Sequence, residues 1–219
     1  MLTLNNYTFR YPGDDKFLWQ PLNFSFNRGE IILIKGSNGS GKTTLLYSLC
    51  GIIPQAISGE MKGEILFNQE SVSNIPLKEI ATEINILFQE PDKQIFMPFV
   101  EEEIAFGPEN LALDREDIKR RIDNLLDRFD IVELRKRATA SLSYGEKKLV
   151  VLAAILAISP AVILIDEFSA GIGDNMINRF VSYLRELKDE GKTIVLAEHH
   201  PAVREIAAKV IDLDALKYG

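Results

Sequence analysis

Three stretches of this chain carry residue types whose spacing can do chemistry. The first is GSNGSGKTT, Gly36 to Thr44, which fits the pattern G-x-x-x-x-G-K-[ST]. Glycines at these places let backbone N–H groups approach phosphate oxygens, Lys42 reaches β- and γ-phosphates, and the Thr43 hydroxyl can ligate Mg²⁺. Asn38, Gly39, Ser40, Gly41, Lys42, Thr43 and Thr44 are therefore candidate nucleotide-binding residues. The second is VILIDE, Val162 to Glu167, an apolar run ending in two acids. Asp166 suits a water-mediated Mg²⁺ contact, and Glu167 suits a base that polarises an attacking water. Buried strands often end in exposed acids, so this pair gains its weight from the phosphate-type loop elsewhere in the chain. The third is SLSYGEKKLVVLAAILA, Ser141 to Ala157. Ser143 and Glu146 make a capping box, and a helix N-terminus beside a glycine is also an anion site. The chain thus has two phosphate-seeking helix ends, far apart in sequence.

The elements around these stretches must hold them in place. EIILIK, before the glycine-rich loop, is an apolar run of the buried-strand type, and LLYSLCGI after it reads as a helix ending at Gly51. LTLNNYTFRY and LNFSF alternate like antiparallel strands, and GEILFN and INILFQ are short strands by their β-branched and aromatic content. From about residue 91 to 158 three helical segments follow with no clear strand. In one of them Ile118, Ile122, Leu125, Leu126 and Phe129 share a face, which leaves its Lys and Arg residues as a solvated face. After Pro160 strands and helices alternate again: AVILIDE, a helix from Asp174 to Gly191, TIVLAEHH, PAVREIAA and KVIDLD. That alternation implies a parallel sheet. The expected organisation is one α/β domain over 1–219. Its core spans about 1–90 and 159–219, with an N-terminal antiparallel β layer and an inserted helical subdomain at about 91–158.

Bulk composition narrows the classes. Apolar residues make up 46% and charged residues 26% of 219, which fits a folded globular chain. A net charge of −7 gives no global nucleic-acid surface. The single cysteine, Cys50, lies in an apolar helical run and reads as core, which excludes a disulfide framework. No apolar run approaches the ~18 residues of a membrane span, and MLTLNNYTFRYPG carries no signal-peptide pattern. The expectation is a cytoplasmic protein able to dock on a membrane protein.

In this order and spacing, GSNGSGKTT, LSYGEKK and VILIDEFSAG resemble the nucleotide-binding subunit of an ABC transporter, over essentially the whole chain. The resemblance implies a P-loop NTPase fold of the ABC-ATPase type with a RecA-like core, and ATP and Mg²⁺ as ligands. It also gives the second helix end a purpose. Two such subunits pair head to tail around two ATP molecules, so that Ser143, Gly145 and Glu146 of one subunit meet the γ-phosphate held by the other. Carried over position by position, Tyr11 stacks on adenine, and Gln89 senses Mg²⁺ and the γ-phosphate at the join of the two lobes. His199, with His200 as the alternative, is the switch histidine. Lys42, Mg²⁺ and His199 stabilise charge on the γ-phosphoryl while Glu167 orients water. FQEPDKQIF and VEEEIAFGPENL resemble the ATPases of energy-coupling-factor importers of metal ions and vitamins. That resemblance implies an integral membrane subunit docking near Gln89–Phe99, with Ile95, Phe96 and Phe99 divided between docking wall and core. It places the chain at the cytoplasmic face of the membrane, with no nucleic-acid partner.

Three departures from that pattern stand out. Tyr144 occupies a position usually filled by glycine, where variety is tolerated. Gly173 replaces an aspartate that helps couple the two ATP sites, leaving Asp174 as its neighbouring substitute. The chain ends near Gly219, short of the C-terminal segment of many energy-coupling-factor ATPases, so the sandwich is expected to lean more on ATP or membrane subunits. Rival classes are a non-transport ABC ATPase, which needs a coiled-coil insert or a second nucleotide domain, and a weakly hydrolysing regulatory half of a heterodimer, kept open by Gly173. In a small-molecule phosphotransferase LSYGE has no task.

Overall fold

The computed structural model describes residues 2–217. Strand β1 (Leu2–Arg10) pairs with β2 (Leu22–Phe26) on one side and β4 (Glu60–Phe67) on the other, and β5 (Glu70–Ser71) extends β4. All pairings are antiparallel, in the order β2-β1-β4-β5. The inward set of β1 changes phase midway, from Leu2 and Leu4 to Tyr7 and Phe9. A bulge at Asn5–Asn6 inserts the extra residue, and Asn6 takes a left-handed φ of 50°. Gly63 lies opposite, where any Cβ would run into the carbonyl oxygens of Asn5 and Asn6.

The second sheet is wholly parallel, in the order β6-β7-β8-β3-β9, from β3 (Ile31–Lys35), β6 (Ile84–Leu87), β7 (Val162–Asp166), β8 (Thr193–Ala197) and β9 (Lys209–Asp212). Every residue of β7 and β8 is buried, as expected where both faces are covered. Alternate residues serve the two sides. Val162, Leu164, Val195 and Ala197 join the core shared with the antiparallel layer and helix α1 (Lys42–Leu49). Ile163, Ile165, Ile194 and Leu196 join the core shared with α4 (Val100–Asn110), α5 (Arg115–Arg128), α6 (Tyr144–Ala157) and α7 (Asp174–Asp189). The helical segment is therefore continuous with one face of the sheet, and α6 packs against β6 as well as against α4 and α5.

The expected apolar face of α5 is buried as read, with Phe129 capping its end. Asp114 caps its start by accepting from the Glu116 N–H at 2.8 Å. Cys50 is buried beside short helix α2 (Ile52–Gln55), and burial pushes its thiol up to about 11. Helix α3 (Leu77–Glu83) was not expected. It lies between the two short strands read on either side of it and covers β6 with Ile80 alone buried, too little apolar surface for a periodic signal. Helix α8 (Pro201–Ile206) follows β8. The carboxyl ends of the five parallel strands thus lie on one edge of the sheet, the place where such folds gather a binding site.

Candidate active site

From β3 the chain turns through Gly36–Gly41 into α1. Gly41 has φ 93°, and a Cβ there would lie 2.5 Å from the ring of Trp19. That ring is fully buried under the loop, and its Nε1–H donates to the Ser40 carbonyl at 2.7 Å. From the other flank, Asp214 accepts from the Ser37 N–H at 2.7 Å and the Ser37 hydroxyl at 2.8 Å. Hydrogen bonds from Lys217 and Ser37 hold the Asp214 carboxyl down at about 2. Sequence reasoning missed both braces. Asp214 had a signal, since it follows the last parallel strand at the same sheet edge. Trp19 had none, because the two-residue approach of ring and glycine is purely tertiary.

The Lys42 amine donates to the carbonyls of Gly36 at 2.9 Å and Ser37 at 3.4 Å, and lies 3.8 Å from Glu167 Oε1. The Thr43 hydroxyl donates to Asp166 Oδ2 at 2.7 Å. Asp166 Oδ1 is buried with no hydrogen-bond partner. Burial raises the Asp166 carboxyl above its ordinary range, with the nearby Glu167 charge adding to the effect against Thr43 and Lys42. Gln89, just past β6, donates its amide to Glu167 Oε2 at 2.9 Å. Glu167 has φ 47°, a strained value for a residue with a Cβ, of a kind that clusters at active sites. Tyr11, Asn38, Gly39, Gly41–Thr44, Gln89 and Glu167 together line one cleft of ≈ 400 Å³.

That donor set fits Mg²⁺. It is all oxygen, Thr43 and Asp166 are already side by side, and one Asp166 lone pair is orphaned. Mg²⁺ is usually held by one or two carboxylates plus substrate phosphates rather than by a protein cage. No group of three or more His, Cys, Asp or Glu among the described residues is arranged to hold a metal alone. Tyr11 meets the Phe9 ring edge to face, with centroids 4.9 Å apart, and shares a 2.9 Å hydrogen bond with the Thr44 hydroxyl. Of the loop candidates Asn38 to Thr44, Ser40 is the one that the structure does not bring to the cleft. Its side chain is buried beneath the loop and its N–H is taken by the Ser37 carbonyl at 3.0 Å.

The capping box is formed. Ser143 Oγ accepts from the Glu146 N–H at 3.3 Å, and the Ser143 N–H donates to Glu146 Oε2 at 2.7 Å. That backbone hydrogen bond is the main reason the Glu146 carboxyl is lowered, and Arg137 at 3.2 Å adds to it. Ser143, Gly145 and Glu146 are not among the residues lining the cleft. Tyr144 does reach the site's edge, donating its hydroxyl to the Gln89 carbonyl at 2.7 Å.

The two histidines part company. His200 caps α8, with Nδ1 accepting from the Ala202 N–H at 3.3 Å and Nε2 lying 3.9 Å from Asp174. His199 is exposed. Gly173 precedes α7 with nothing near its missing Cβ. Beyond Gln89, Phe96 and Phe99 are 60% and 44% exposed, while Ile95 packs on the core. Buried Glu103 fixes this segment by accepting from the N–H groups of Phe96 and Met97 at 3.1 and 2.8 Å. Glu103, Lys148 and Glu198 were not singled out from sequence, since a charged residue reads as solvated until its burial is seen.

Comparison with known proteins agrees with this geometry. The ABC transporter family model matches residues 19–170. An energy-coupling factor transporter ATP-binding protein, EcfA of Methanoculleus marisnigri, is 37% identical over 216 residues, covering 98% of this chain and 76% of that protein. CbiO1 of Clostridium perfringens, described as part of the ABC transporter complex cbiONQ, superposes with a TM-score of 0.84 at 30% identity. That match covers 99% of this chain and 84% of CbiO1. Some relatives are much longer. An ABC transporter ATP-binding protein of Methanosarcina acetivorans is 35% identical over 219 residues, yet the chain spans only 34% of its length. A strand-fed phosphate loop, an acid pair at the end of β7 and a capped LSYGE helix, on an architecture shared with CbiO1, place this chain in the ABC transporter family as an ATP-binding cassette.

Proposed function

We propose that the chain binds and hydrolyses ATP to drive an importer of the energy-coupling-factor type, for a metal ion or a vitamin. The observation that carries hydrolysis is the convergence of Lys42, Thr43, Glu167 and Gln89 on one cleft from three separate strand ends, with Asp166 bonded to Thr43 at its wall. The importer class is supported by the names of the EcfA relative and of CbiO1's complex.

In this reading backbone N–H groups of the Asn38–Thr44 loop other than that of Ser40, with the Lys42 amine, hold the phosphates, and Tyr11 supports the adenine ring. Thr43 and Asp166 would hold Mg²⁺, with Gln89 beside them, and the ion would supply charge neutralisation on the phosphates. Glu167, fixed by its strained backbone and by Gln89, orients water for in-line attack. His199 faces the γ-phosphate from the next strand end. Stabilising charge that develops in the transition state is where such sites gain most of their rate. The Ser143 end of α6 contributes in trans, to ATP held by a second cassette of the same or another chain. A membrane subunit docks beside Gln89–Phe99, where Phe96 and Phe99 stand exposed, on the cytoplasmic face of the membrane. The α/β core and the helical segment at about 91–158 then move as two lobes.

The test is co-purification. The tagged chain is extracted with host membranes in mild detergent, and its companions are identified by mass spectrometry. A small integral membrane scaffold with a substrate-binding membrane protein is the expected result, and a second cassette in the sample shows a heterodimer. A chain that brings no membrane partner sinks the importer reading and favours a non-transport ATPase.

A further inference from the structure

Lys148 lies on α6 five residues past Ser143 and is 0% exposed. A lysine is almost never fully buried without partners. Here the partners are three backbone carbonyls of the turn after β7: Glu167 at 2.8 Å, Phe168 at 2.7 Å and Ala170 at 3.0 Å. The rings of Tyr144 and Phe168 lie 4.8 and 5.5 Å from the same amine. The opposite side of the turn meets Glu198, 1% exposed, which accepts from the Ser169 N–H at 2.6 Å and the Ser169 hydroxyl at 2.8 Å. Glu198 also accepts from the N–H groups of His199 at 2.7 Å and His200 at 3.2 Å. The turn's carbonyls therefore face a buried cation and its amide faces a buried anion. Glu167, at its start, needs such support, because its left-handed backbone is strained for a residue with a Cβ.

We propose that Lys148 is a positioning residue that ties the Glu167–Ala170 turn to α6, so that a phosphate engaged at the Ser143 end of the helix is felt at Glu167 of the same chain. Glu198 completes the device by fastening the His199 backbone to the same turn. The proposal rests on the reading that the Ser143 end acts on a nucleotide held by a second cassette. It adds a route between two ATP sites that does not pass through Gly173. An α-helix is stiff over this span, and Ser143 and Lys148 are separated by about 7.5 Å of axial rise. A displacement of the helix end therefore moves the amine, and the amine holds the turn by three hydrogen bonds.

The charge on Lys148 is what makes three donors available. The carboxylates that face it are Asp166 and Glu167 from the end of β7 and Glu198 from the end of β8. Burial outweighs their attraction and lowers its amine to about 8. A neutral amine has two hydrogens for three carbonyls, so the hold weakens as pH rises through about 8. Stability moves the opposite way. The unfolded chain keeps this proton to a higher pH than the folded one, so between about 8 and the ordinary lysine value of 10.5 the Lys148 contribution to stability rises with pH. Loss of activity together with gain of stability separates positioning from mere structural support.

The test compares wild type with Lys148→Met, Lys148→Arg and Glu198→Gln. Steady-state ATPase is measured across the alkaline range, and amide hydrogen exchange over 167–172 and 199–200 is measured without nucleotide. We expect Lys148→Met to lower kcat about tenfold with KM for ATP changed less than about twofold, the signature of a contact felt in the transition state. Its turn amides exchange faster, as do those of Glu198→Gln, which serves if the methionine variant does not fold. Lys148→Arg, charged at every pH tested, shifts the alkaline fall in kcat upward. Unchanged exchange over the turn in the folded variants overturns the proposal, as does an alkaline fall that stays in place in Lys148→Arg. If wild type itself does not hydrolyse ATP, the functional reading fails, and the exchange measurement alone then decides whether Lys148 holds the turn.

Discussion

The Tyr144 hydroxyl donates a 2.7 Å hydrogen bond to the Gln89 carbonyl, joining the LSYGE helix to the loop that leaves β6 within one chain. Glycine at this position offers no such link. Tyr144 also packs its ring against the place where Gly171 lacks a Cβ. A hydrogen bond of this kind contributes on the order of 1 kcal/mol. Tyr144→Phe should therefore lower the melting temperature by about 2–4 °C, the shift that ~1 kcal/mol produces in a chain of this length. It should also raise hydrogen exchange over 88–94. Unchanged exchange there would show that the bond does not restrain the loop.

Glu167→Gln should bind ATP with an affinity within about threefold of wild type and lose at least about 100-fold in kcat, the scale of a missing general base. The isosteric amide keeps a hydrogen-bonding contact to Gln89 but cannot take a proton from water. Calorimetric titration and a phosphate-release assay give the two numbers. Turnover close to wild type in this variant would remove Glu167 from its role.

Asp166 gives a stability–function opposition. Its carboxyl is raised, chiefly by burial, so the folded chain holds that proton more tightly than the unfolded chain does. The sign follows: above the ordinary aspartate range the charged form costs stability, and this cost is relieved as pH falls through the folded pKa. Asp166→Asn should accordingly raise the melting temperature of the nucleotide-free protein at neutral pH by roughly 2–4 °C. The same variant should lose the further rise that Mg²⁺ and ATP give wild type. A nucleotide-free melting temperature below that of wild type contradicts the account of the orphaned Oδ1.

Trp19 is the only tryptophan in the sequence, and its indole N–H is bonded to the phosphate loop. Phosphate binding that shifts Ser40 must change the indole's surroundings. Intrinsic fluorescence should therefore titrate with ATP to saturation, and Lys42→Ala should move the midpoint upward at least about tenfold, as expected for a lost charge-assisted contact. A flat signal where calorimetry registers binding would mean that the loop does not move against Trp19.

The sequence by itself determined the elements that carry long periodic signals and the residues whose chemistry is local. The buried strands before the glycine loop and before Asp166, the α5 face and the Ser143–Glu146 capping box were all legible, because each depends on spacings within a few residues. The short helix over Leu77–Glu83 was not, since one buried residue leaves no period. Residue type gave Thr43 and Asp166 their roles, but only the parallel order of β3 and β7 around β8 brings the two side chains to 2.7 Å. Ser40 shows the converse. Its place in the pattern reads as phosphate-binding, yet the Trp19 and Ser37 contacts turn it under the loop. Lys148 and Glu198 became interpretable only in three dimensions. Their partners are backbone carbonyls and amides, which every residue carries, so no residue pattern can mark them in advance; only the tertiary path of the chain decides which of those groups a buried charge will meet.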